Sequence, residues 1–189
     1  MAHEAVRHEA TTKEAGAPLE RGSRQESVRI RAKDPRDAAA VASYLDDAWG
    51  GPIMVSHGDV FNCTQIPALL AEVDGEIVGL ATYVLHDDAL EIVTLNASKS
   101  AGGVGTLLLE ATARLARERG LARLWLVTTN DNLDAMRFYQ RRGMRMVSVL
   151  VGAMDRSRDM ARAMGEPVAD LVGYYGIESH DEIVLEMRL

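Results

Sequence analysis

Residues 99–108 read KSAGGVGTLL, and residues 132–144 read NLDAMRFYQRRGM. In the first stretch Gly102 and Gly103 stand before, and Gly105 just inside, a run in which Val104, Leu107, Leu108, Ala111 and Leu115 recur at helical spacing. Gly120 supplies the stop of that helix. A helix opening at Gly103 turns its first N–H groups toward whatever sits in the glycine turn, and missing side chains let a pyrophosphate approach them. The glycines alone equally suit a plain turn. Leu108 falls where a G-x-G-x-x-G fingerprint needs its third glycine, and Thr106 lacks the preceding lysine of a P-loop.

The flanking segments place this turn in a fold. SVRIRA (27–32) alternates as a strand. Asp34 then caps a helix that Pro35 opens, with Ala38, Val41, Ala42 and Leu45 on one face and Gly50 and Gly51 at its end. GPIMVSHGDVFNCTQIP (51–67) is mixed and reads as a loop with a short helix or strand. Residues 68–97 read as three consecutive antiparallel strands, with turns at Asp74–Gly75 and at 86–88. The third, ALEIVTL, is nearly all apolar and so belongs in the middle of a sheet. LARLWLVTT (121–129) is a buried strand, and a helix follows from the cap Asn132 to Gly143. A strand at 144–154, a helix at 155–165, a loop and a last strand at 181–189 complete the chain. This order predicts a mixed α/β (α+β) domain on a mostly antiparallel sheet flanked by helices, with one parallel crossover across 89–127. The domain spans 26–189, and 1–25 is a polar arm, disordered or loosely ordered.

Together the two quoted stretches resemble the GNAT superfamily of acetyl-CoA-dependent N-acetyltransferases, over about Val28 to Val151. That family carries Arg or Gln, two residues, Gly, one residue, then Gly or Ala, between a strand and a helix. Gly103 and Gly105 match the small positions, and Ser100 stands in place of Arg or Gln. A second family element, Asn-x-x-Ala with a tyrosine four residues later, is matched by Asn132, Ala135 and Tyr139, and Gly143 matches its closing glycine. The resemblance implies coenzyme A on Ser100, Gly102, Gly103, Val104, Gly105 and Thr106, with Lys99 nearby. It further implies the pantetheine arm against Val93 to Leu95, with Asn130 and Asn132 facing the coenzyme. Serine lacks the forked cation of arginine, so the pyrophosphate is left to backbone amides and Lys99.

Acetyl transfer to an amine needs a base, a donor to the carbonyl oxygen and a proton for the leaving thiolate. The resemblance gives Tyr139 the last role. The Leu95 amide is a candidate donor to the oxyanion. Glu91 is the candidate base, because it is the acid inside an apolar strand and burial strengthens a carboxylate as a base. It equally suits a structural carboxylate facing a helix or Arg29; His57 or a bridging water is the other candidate base. Trp49, His57, Asp59 and Phe61 are the candidate acceptor contacts, with Tyr174, Tyr175 and His180 from the tail. Cys63 has no local histidine and reads as a small buried hydrophobe, and there is no Cys/His metal pattern.

The formal net charge of −7 gives no bulk attraction for nucleic acid or anionic membranes and suits a cationic substrate. One cysteine excludes a disulfide framework, and no apolar run approaches the ~20 residues of a membrane span, which fits a cytoplasmic protein. The expected function is transfer of acetyl from acetyl-CoA to a small amine. The alternatives are a peptide or protein N-terminal acetyltransferase, and a degenerate domain that binds without catalysis. EIVLEM (182–187) permits a homodimer through the last strands and equally suits a strand within one sheet.

Overall fold

The chain's structure, a computed structural model, describes residues 27–98 and 102–189. The arm at 1–25 and the expected coenzyme contact Ser100, with Lys99 and Ala101, lie outside the described residues. The first strand, β1 (Arg29–Ala32), leads into a 3-10 turn at Pro35–Asp37 and then α1 (Ala38–Trp49). Asp34 accepts from the Arg36 amide while Asp37 accepts from the Asp34 amide, so both orphan donors of the entry are met. Gly50, at φ +77°, closes α1 in the left-handed region, as its sequence position predicts.

The mixed stretch after α1 forms a separate hairpin of β2 (Ile53–Ser56) and β3 (Asp59–Asn62). Next come β4 (Ala68–Val73), β5 (Glu76–Leu85) and β6 (Ala89–Ala97), the expected antiparallel meander. Asp74 and Gly75 both have positive φ, the signature of a tight hairpin turn. α2 (Val104–Glu118) crosses over to β7 (Arg123–Thr129), which pairs parallel to β6. α3 (Leu133–Gln140), β8 (Arg145–Leu150), α4 (Ala153–Met164) and β9 (Glu182–Arg188) complete the described elements. α4 begins two residues before the expected 155 because Gly152, at φ +67°, supplies its N-cap.

The main sheet runs β1-β4-β5-β6-β7-β9-β8, so β9 inserts between β7 and β8. The last strand therefore lies inside the monomer's sheet, antiparallel to both neighbours. One face packs against α2 and α3 through Val104, Leu108, Leu109, Leu124, Leu126 and Leu185, all nearly or fully buried. Each such side chain contributes ~1.5–3 kcal/mol relative to exposure. The other face carries a smaller core of Val41, Leu45, Cys63, Leu70 and Leu80 under α1. The hairpin and α4 lie on that second side, with α4 packed against β2. Cys63 is buried and free, as its sequence context suggests.

Candidate active site

β6 and β7 pair only from Ala89–Ile92 against Arg123–Leu126. A register shift in the β5–β6 pairing lies between Thr82 and Tyr83, so Val93 is the extra residue that bends β6. Beyond it the two strands part. A cavity of about 630 Å³ opens there, lined by Val93 from β6, Val127, Thr128 and Thr129 from β7, and Glu182 from β9. Trp49, the β2 residues, α4 and the loop 166–174 close its sides.

Two glutamates are buried on this face of the sheet, each 2% exposed. Glu182 borders the cavity; its Oε2 accepts the His57 amide at 2.8 Å and its Oε1 the Ser56 hydroxyl at 3.4 Å. Burial raises its pKa above the ordinary carboxylate value, against the opposing pull of the His57 amide and charge. Glu91 is not on the cavity wall. Its Oε1 lies 2.7 Å from His57 Nε2 and its Oε2 2.9 Å from His86 Nε2, so its partners are two histidines rather than Arg29. Both imidazoles pack against Trp125, with ring centroids 5.4 and 5.8 Å away. The Glu91 bond raises the His57 pKa above 6.5 in spite of partial burial.

Asp131, 3% exposed, also lines the cavity. Burial opposes its charge, but the Thr129 hydroxyl, the Tyr174 amide and the Ser179 hydroxyl prevail and hold its pKa below the ordinary value. Oδ2 accepts the Tyr174 amide at 2.8 Å, and a Cβ on Gly173 would stand 2.0 Å from it. Only glycine lets the tail loop close on this carboxylate. Arg158, 5% exposed, ties the same loop to α4 by donating to the carbonyls of Ala169, Asp170 and Ser179. Asn130 is occupied in the same way: its amide donates to Glu178 and accepts from the His180 and Asp181 amides.

At the glycine turn, Gly103 is the N-cap of α2 at φ +88°, a conformation that favours glycine. Thr106 and Leu107 send their amides back to the Gly103 carbonyl. Gly105 is small for packing: a Cβ would lie 3.3 Å from Phe138 Cζ. The Arg142 guanidinium stacks on Phe138 at 3.7 Å and donates to the Thr106 hydroxyl, so α3 is clamped to the first turn of α2. Asn132 caps α3 by accepting the Ala135 amide and also borders the cavity. Tyr139 is 7% exposed within the core under α2, and burial pushes its phenol pKa up.

Of the residues that sequence singles out, the structure brings Trp49, Val93, Asn132 and Tyr174 to the cavity. His57 and Phe61 stand behind its wall, edge to face at 5.6 Å. Val104 is buried, while Gly102 and Gly103 are exposed at the turn. Glu182, Asp131 and Arg158 are the site residues that sequence reasoning missed. Glu182 left one signal: in DEIVLEM, Glu182, Val184 and Glu186 alternate with Ile183, Leu185 and Met187, putting an acid on a sheet face. Among the described residues, no group of three or more His, Cys, Asp and Glu side chains is arranged to hold a metal ion. No helix of those residues is long and apolar enough to cross a membrane.

The family described as the Acetyltransferase (GNAT) family matches residues 38–144. YxbD of Bacillus subtilis, uncharacterised, is 35% identical over 156 residues, covering 82% of this chain and 94% of its own. The streptothricin acetyltransferase of Streptomyces lavendulae is 35% identical over 113 residues, covering 58% of this chain and 59% of its own. A GNAT family acetyltransferase from Elizabethkingia anophelis, solved with acetyl-CoA bound, shares the fold at TM-score 0.59 and 20% identity, over 87% of this chain and 100% of that one. The parted strands, the glycine-opened helix and the Asn132–Tyr139 helix thus have a common origin: the chain belongs to the GNAT family and is an acetyltransferase.

Proposed function

We propose that this chain moves an acetyl group from acetyl-CoA to the amine of a small molecule, with Glu182 as the general base. The observation that carries the reading is a desolvated carboxylate on the wall of a cavity that opens where β6 and β7 part. The residues fit acetyl-CoA as co-substrate. The bent edge of β6 at Val93 to Leu95 can take up an amide-bearing arm as an added strand does. The first amides of α2, opened by Gly103, suit a pyrophosphate without help from an arginine. Glu182 takes the proton of the acceptor ammonium, which frees the nitrogen lone pair for the thioester carbonyl. The Leu95 amide donates to the oxygen on which negative charge develops. Tyr139, kept protonated by burial, donates to the sulfur as the C–S bond breaks.

Four acidic residues, Asp131, Glu166, Asp170 and Glu182, line the cavity against one basic residue, Arg158, which favours a cationic acceptor. The loop 166–174, fastened by Arg158 and Asp131, encloses it, and this supports a small molecule over an extended peptide. The streptothricin acetyltransferase relative points the same way by its name. The test is calorimetric titration with acetyl-CoA, followed by thiol release against a panel of small amines and peptides. Binding with release by small amines is the expected result. Release by peptides alone overturns the acceptor class, and no binding at millimolar acetyl-CoA overturns the reading as a whole.

A further inference from the structure

His57 and Gly58 join β2 to β3, at φ +43° and +94°. A two-residue hairpin loop with positive φ at both positions favours asparagine or glycine in the first. A histidine stands there instead, and its ring turns back onto the sheet, with the side chain 13% exposed. Nε2 meets Glu91 at 2.7 Å, while the residue's own backbone amide meets Glu182 at 2.8 Å. One residue therefore touches both buried glutamates. A side chain in an unfavoured backbone conformation, held by such contacts, is a local rule broken, and these departures gather at functional sites.

We propose that His57 is a positioning residue for Glu182, clamped by Glu91 so that its amide orients the carboxylate and its ring keeps a positive charge beside it. This rests on Glu182 being the base. The charged groups around the trio are few. His57 from the hairpin and Arg156 from α4 face Glu182. Glu91, Glu182 and Asp59 face His57, with Asp59 Oδ2 3.5 Å from Nδ1. His57 and His86 face Glu91. Glu91 favours the charged imidazole, and that charge offsets part of the burial that makes Glu182 hold its proton. Removing it leaves less free base at neutral pH.

The test is the pH dependence of kcat/KM, with acetyl-CoA and the best small amine of the panel, for wild type, His57→Asn, Glu91→Gln and Glu182→Gln. Asparagine keeps the turn and the amide but not the charge. The acid limb, set by the carboxylate that must be unprotonated, moves up by about half to one pH unit in His57→Asn. Glu91→Gln moves it the same way by less, and KM for acetyl-CoA stays within about twofold in both. A hairpin that merely packs would change rates without moving the limb. An unmoved limb in His57→Asn overturns the proposal. So does a His57→Asn enzyme that loses the limb altogether, since the imidazole would then be the base. A Glu182→Gln enzyme that retains the wild-type limb instead overturns the assignment of Glu182.

Discussion

Gly79→Ala tests whether the start of α2 is seated as closely on the sheet as the site requires. Gly79 lies on β5 between Ala71 of β4 and Ala97 of β6, so three small residues make a trough across three strands. A Cβ there would stand 2.6 Å from Val104 Cγ1, 2.9 Å from Leu108 Cδ1 and 3.2 Å from the Asn96 carbonyl. Carbon atoms pack at ~3.5–4.0 Å, so the first turn of α2 must move by about 1 Å. Val104 and Leu108 are fully buried and cannot swing into solvent. Overpacking of this kind costs ~1–3 kcal/mol, partly offset by up to ~1 kcal/mol from a stiffer unfolded chain. A net loss of about 1–2 kcal/mol lowers Tm by roughly 2–8 °C in a chain of this size. The same displacement moves the amides proposed to meet the pyrophosphate. A charge-assisted hydrogen bond contributes ~1.5–3 kcal/mol, so the Kd for coenzyme A rises about tenfold or more. Thermal melting and calorimetric titration read both effects. Gly102→Ala, with open space around the added carbon, serves as the control for stability. A Gly79→Ala protein with unchanged Tm and unchanged Kd would refute the reasoning.

Three other outcomes are expected. Tyr139→Phe keeps the buried ring and loses the proton donor, so kcat falls by about 10- to 100-fold while the Kd for acetyl-CoA holds; equal turnover removes Tyr139 as the acid. Arg158→Met leaves three loop carbonyls without their donor, costs ~2–4 kcal/mol and speeds protease nicking within 165–180, read by timed digestion. The His57 pKa is raised in the fold, so the stability it contributes is complete below 6.5 and lost as pH rises through the folded value. Tm should therefore decline with pH above 6.5, more steeply in wild type than in Glu91→Gln; parallel slopes would show that the bond to Glu91 is not what raises the His57 pKa.

Most of the fold was legible because the elements announce themselves locally. The Asp34–Pro35 entry, the Asp74–Gly75 turn and most of the stripe of α2 each follow from short-range chemistry. The structure buries Val104, Leu108 and Ala111 as expected, whereas Leu107, expected on the same stripe, is 39% exposed. The β2–β3 hairpin was not legible. Its turn is His57–Gly58 rather than Asn-Gly, and the reason lies in contacts with Glu91 and Glu182, 34 and 125 residues away. The candidate site divides in the same way. Asn132 belongs to a recognisable motif and Val93 to the apolar strand expected to meet the coenzyme, and both border the cavity. Glu182 and Asp131 do so because β9 inserts beside β7 and the tail loop folds back through Gly173, pairings with no local signal. Glu91 stood out as an acid in an apolar strand, yet its burial is compensated by two histidines brought in by separate turns.

The measurement that bears most directly on the central claim is single-turnover release of coenzyme A thiol from acetyl-CoA with a saturating small amine at neutral pH, for wild type and Glu182→Gln. Gln preserves the shape of the side chain and removes its capacity to take a proton. The account predicts rapid, amine-dependent release by wild type and a rate about 100-fold or more lower in Glu182→Gln, with acetyl-CoA binding intact. Equal rates in the two proteins, or release that ignores the amine, would contradict it.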